Sequence, residues 1–74
     1  MPPDATTTLL SLLRTMRHVP MRDITDPTAL AALRVFAEAL GFESINDVLT
    51  QHNLWDASFG GFLRRFLLVA DVSP

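Results

Sequence analysis

Cysteine and lysine are both missing from this 74-residue chain. Without cysteine there is no disulfide framework, no thiolate zinc site and no cysteine nucleophile. The basic residues are six arginines, a bias expected of a GC-rich bacterial or phage source. No apolar run approaches the ~20 residues of a membrane span, because Arg64 and Arg65 break the longest candidate. Met1-Pro2-Pro3-Asp4 lacks the charged start of a signal peptide, and Leu9–Leu13 is too short for its apolar segment, so a cytoplasmic location is expected. Glycine is scarce, and Gly60-Gly61 lacks the lysine and the spacing of a phosphate-binding loop. Long alternating runs are absent too, which excludes a sheet-based core.

What is present is apolar. Hydrophobic residues make up 49% and charged residues 19%, a balance that favours a folded domain over a disordered tail. The net charge of −2 argues against general attraction to nucleic acid or to an anionic membrane. A domain this small buries only about 60% of its unfolded surface and is marginally stable. With neither disulfide nor metal expected, dense helix packing or self-association has to supply the rest. No cofactor is expected.

The periodicity predicts a single all-α domain over 1–74, a compact bundle of about four short helices with frayed ends at 1–4 and 71–74. The first helix spans Ala5 to His18, with Leu9, Leu12, Leu13 and Met16 on one face and Ser11, Arg14 and His18 pointing away. Residues 20–26 connect, with Ile24 plugging into the core. The second helix starts at Pro27 under an Asp26 cap and presents Leu30, Leu33, Phe36, Ala37 and Leu40 to the interior, leaving Arg34 and Glu38 on the wet side. Gly41 follows in a left-handed conformation, with Phe42 folding back. Ser44 caps a third helix whose inner face is Ile45, Val48, Leu49 and His52. Asp56 caps a fourth over Ala57–Ala70, with Phe59, Phe62, Leu63, Phe66 and Ala70 as its stripe. Leu33, Leu40, Phe62 and Phe66 are each central in a stripe and are expected to be buried.

Enzyme chemistry finds little support. The acids Asp26, Asp47 and Asp56 sit at helix starts, where they satisfy free amides and complement the helix dipole. No nucleophile turn surrounds a serine. His52 reads as a core-edge histidine hydrogen-bonded to a backbone carbonyl. His18 with Arg14, Arg17 and Arg22 makes a basic face, suited to solvent or to an acidic or phosphate-bearing partner.

The segment Phe36-Ala-Glu-Ala-Leu-Gly-Phe-Glu-Ser44 resembles the first helix and turn of helix-turn-helix DNA-binding proteins, which often read apolar-Ala-Glu-x-Leu-Gly-apolar-Ser. The resemblance covers about nine residues. The family's apolar position six after the glycine is here Asp47, and Val48 comes one later. It implies a DNA-binding regulator with Asn46, Thr50 and Gln51 at base edges and Arg14 and Arg17 available to phosphates. Leu40-Gly41-Phe42 also resembles the first loop of ubiquitin-associated three-helix domains, with different spacing afterwards.

Surplus apolar surface points elsewhere. Ala31, Val35 and Ala39 form a second stripe on helix two, Leu68 lies between the directions of Arg64 and Arg65, and Leu10 sits beside the main face of helix one. These residues predict a protein–protein interaction module (a small regulator, inhibitor or accessory subunit) that buries a helix face of Ala31, Val35, Ala39 and Leu68, with Arg64 and Arg65 at the rim. A homodimer is the expected form. The helix-turn-helix regulator is the alternative.

Overall fold

Asp26 and Pro27 open the second helix as the sequence requires. The Asp26 carboxylate accepts the amide of Ala29 at 2.9 Å, and proline occupies the first turn, where no amide is needed. The computed structural model describes the backbone of residues 3–67 and the side chains of residues 5–66. Over that span the chain is all-α: α1 (Pro3–Met16), a single 3₁₀ turn (Met21–Asp23), α2 (Pro27–Ala39), α3 (Ile45–His52) and α4 (Phe59–Leu67). Extents of 28 × 26 × 23 Å show that the helices wrap a common core. No helix among the described residues is long and apolar enough to cross a membrane.

The turns follow local chemistry. At the end of α2, Gly41 takes φ +92°; its amide donates to the Glu38 carbonyl and that of Phe42 to the Ala37 carbonyl. This is the Schellman arrangement expected of a glycine after the last helical turn. Asn53 plays the same part after α3 with φ 54°, and the Leu54 amide reaches back to the Leu49 carbonyl. Ser44 caps α3 by accepting from Asp47 N–H at 3.3 Å.

The core holds Leu9 and Leu13 of α1, Leu33 and Phe36 of α2, Val48 and Leu49 of α3, and Phe59, Phe62 and Leu63 of α4. Ile24 plugs in as expected, joined by Met21 from the 3₁₀ turn, a turn that periodicity did not indicate. The Phe36 ring packs edge-to-face with Phe62 and with Phe66, their centres 5.7 and 5.9 Å apart, joining α2 to α4.

Four expectations need correction. Leu30 and Leu40 are exposed, at 41% and 42%. The buried face of α2 is instead Ala29, Ala32, Leu33, Phe36 and Ala37. Small residues let α2 lie close to α1, where Ala5 is also buried, so α2 is rotated toward Ala32 and away from Leu30. Leu40 is the C-cap, one position past the helix, and Phe42 packs on the core in its stead. Phe66 is half-buried at the core's edge. α1 runs from Pro3 to Met16, starting and ending two residues earlier than expected. α4 starts at Phe59, capped by Ser58, whose hydroxyl accepts the Gly61 amide at 3.0 Å. Asp56 pairs with Arg22 on the surface instead. Leu68, Ala70 and the end segment 71–74 lie outside the described residues.

One junction ties the ends of α1 and α4 together. Phe59 N–H donates to the Val19 carbonyl at 2.8 Å and Gly60 N–H to the Arg17 carbonyl at 3.0 Å. The free amides of a helix start thereby satisfy carbonyls left over after a helix end. Met21 N–H to the Ala57 carbonyl at 2.7 Å completes an antiparallel bridge between Pro20 and Ser58. Those bonds flank the bridged pair, so proline gives up no ladder bond at position 20.

Candidate functional site

The rotation of α2 that buries Ala29 and Ala32 leaves a shallow groove between the first halves of α1 and α2. It encloses about 510 Å³ and is lined by Ala5 and Thr8 from α1 and by Pro27, Thr28, Ala31, Ala32 and Val35 from α2. Among the described residues none that lines it is charged. Its buried lining residues are Ala5 and Ala32, small because the helices approach closely there, and Thr8, Pro27, Thr28, Ala31 and Val35 complete it. Such a surface offers dispersion contact and shape, with hydroxyls as its only polar side-chain groups. It suits another apolar helix face better than it suits a reacting group.

Of the expected interface residues, Ala31 and Val35 line this groove, and Ala39 continues their stripe, exposed, at the end of α2. Arg64 and Arg65 are exposed on α4 and contribute nothing to the groove's lining. Leu68 lies outside the described residues. Leu10 packs, half-buried, against the core and so does not add to the surplus surface. Helix periodicity had located the Ala31-Val35-Ala39 stripe but not its depth. The groove depends on Ala5, Thr8 and Pro27 as well, whose part follows only from how two helices pack.

The residues of the DNA-binding resemblance take these positions. Asn46, Thr50 and Gln51 are exposed on α3. Thr50 and Gln51 line a second depression with Gly41, Phe42, Glu43 and Asp47, so two carboxylates stand on that surface. The Thr50 hydroxyl accepts the Trp55 indole N–H at 3.1 Å. Arg14 is exposed on α1, and Arg17 is half-buried in the turn that follows it.

His52 is half-buried as expected, but its surroundings are aromatic. Its ring stands edge-on to Phe66 at 5.2 Å and to Phe42 at 6.1 Å, continuing the Phe36–Phe62–Phe66 cluster to the surface. Among the described residues no group of three or more His, Cys, Asp or Glu comes together where a metal ion could be held. Neither the family models nor the curated proteins nor the solved structures compared with this chain include a match to it.

Proposed function

We propose that this protein is a non-catalytic protein–protein interaction module, and that the groove between α1 and α2 receives the same face of a second copy of the chain. The observation that carries this reading is the groove itself, lined among the described residues by alanine, threonine, proline and Val35 with no charged group. A second α2 presenting Ala31, Val35 and Ala39 meets no charge in it, so two identical copies do not repel one another there. Arg34 and Glu38, four residues apart, flank the stripe on its exposed side. When two α2 helices cross antiparallel about a two-fold axis near Val35, Arg34 of one copy meets Glu38 of the other, a self-complementary polar rim. Burying this face also offsets the marginal stability of so small a domain. In the same reading, control of a larger partner proceeds by covering or exposing this face.

A second reading keeps the helix-turn-helix resemblance. It rests on the left-handed Gly41 turn between α2 and α3 and on the exposure of Asn46 and Gln51. Glu43 and Asp47 weigh against it, since both would face phosphates.

Amide NMR separates the two. Diluting the protein from millimolar to micromolar concentration should shift the amides of Ala5, Thr8, Ala31 and Val35 and leave those of Asn46 and Gln51 in place, with little dependence on salt. Shifts confined to α3 on adding duplex DNA, lost steeply as salt rises, would establish the second reading and overturn the first.

A further inference from the structure

The basic residues at the end of α1 lie outside the α1–α2 groove. Arg14 in the last turn of α1 and Arg17 and His18 in the turn that follows line one depression where α1 ends. With Leu13, Thr15 and Val19 they line a partly enclosed concavity of about 280 Å³, and among the described residues none that lines it is acidic. The fourth basic residue of the region, Arg22, is already engaged by Asp23 and Asp56. Arg14 and Arg17 have no ion pair among the described residues. The Nε of Arg17 is shielded from solvent and has no hydrogen-bond partner among them, although a buried donor normally has one.

We propose that Arg14, Arg17 and His18 form an anion site that takes a phosphate group. Three features fit that chemistry. The guanidinium groups supply planar, paired donors suited to phosphate oxygens, and the imidazole and the Thr15 hydroxyl add further donors. The carbonyls of Arg17 and Val19, beside the concavity, are occupied by the amides of Gly60 and Phe59 and so are not left free to repel an anion. Arg17 is also held in place. A Cβ on residue 60 would lie 3.0 Å from Arg17 Cγ and 3.3 Å from its carbonyl oxygen, so the arginine stem runs across α4 in space that only a glycine leaves free. The Arg17 stem is therefore positioned before any ligand arrives.

The test is titration of the intact protein with inorganic phosphate and, separately, with adenosine monophosphate, at ionic strength held constant with chloride, observed through arginine Nε–Hε resonances. Selective, saturable shifts of Arg14 and Arg17 are expected. Saturation by inorganic phosphate assigns the site to the free ion, and saturation by the monophosphate alone assigns it to an organic phosphate; both support the proposal. Arg14→Gln and Arg17→Gln should each weaken binding at least tenfold with the amide spectrum otherwise preserved. An Arg64→Gln, Arg65→Gln double variant, which removes twice the charge of either single variant elsewhere, should bind as the wild type does. Equal shifts of all arginines, no saturation with either compound, or equal weakening in the α4 double variant would overturn the proposal. Because the wild-type resonances are read directly, a variant that fails to fold does not spare it.

Discussion

Phe36→Ala should leave the chain largely unfolded at room temperature. Phe36 is 2% exposed, and its ring meets both Phe62 and Phe66 across the α2–α4 contact. Removing a buried phenylalanine ring costs about 3–5 kcal/mol through lost transfer energy and the cavity left behind. So small a domain lies near the low end of the roughly 4–11 kcal/mol expected for its length, so the loss takes most or all of its stability. The partner experiment is Leu40→Ala. Because Leu40 is 42% exposed and lies beyond the last turn of α2, that change should cost under about 1 kcal/mol. Circular dichroism with urea denaturation measures both. A Leu40→Ala variant as damaged as Phe36→Ala would put the inner face of α2 back on the line from Leu30 to Leu40 and contradict the packing described here.

Gly60→Val should destabilise the fold by about 1–3 kcal/mol, the usual cost of forcing extra carbon into a closed space. The Arg17 stem can shift by a few tenths of an ångström, but the Arg17 carbonyl accepts the residue-60 amide at 3.0 Å and cannot retreat without losing that bond. A loss of that size lowers the melting temperature by roughly 4–8 °C per kcal/mol in a domain of this size. Gly61→Ala is the contrast. Residue 61 is exposed, and its Cβ would meet only the Ser58 hydroxyl, at 3.2 Å, so its thermal melting should move by less than the equivalent of ~1 kcal/mol. If the two glycines proved equally tolerant, the close junction between α1 and α4 would not exist.

These two sites also show what was readable in the chain and why the remainder was not. Asp26-Pro27, Gly41 and Ser44 act on backbone groups within five residues of themselves, so their parts follow from local chemistry alone. The choice between Asp56 and Ser58 as the cap of α4 is different. Both residues can cap, and the decision lies in the pairing of residues 55–60 with 17–22, a contact between distant parts of the chain. The inner face of α2 is a similar case. Leu30 and Leu40 outweigh Ala29 and Ala32 on any hydrophobicity scale, yet burial goes to the alanines because close approach to α1 demands small side chains. Hydrophobic weight locates the stripe only roughly; the partner helix decides its edge. His52 was legible as an inner-face residue of α3, but its two ring neighbours come from the α2–α3 loop and from α4, so its aromatic setting was not. The candidate groove was half legible for the same reason: Ala31 and Val35 stand out by spacing, whereas its α1 wall does not.

Self-association through the α1–α2 groove is the central claim, and sedimentation equilibrium from micromolar to millimolar concentration tests it most directly, on the wild type and on Val35→Glu. Val35 is half-buried in the groove wall and outside the core, so its replacement should leave the fold intact while placing a carboxylate in each copy's contact face. The wild-type mass should rise from 8.2 kDa toward twice that value with concentration, while Val35→Glu should stay at the monomer mass. A wild type that remains monomeric throughout, or a Val35→Glu variant that associates as the wild type does, would contradict that claim.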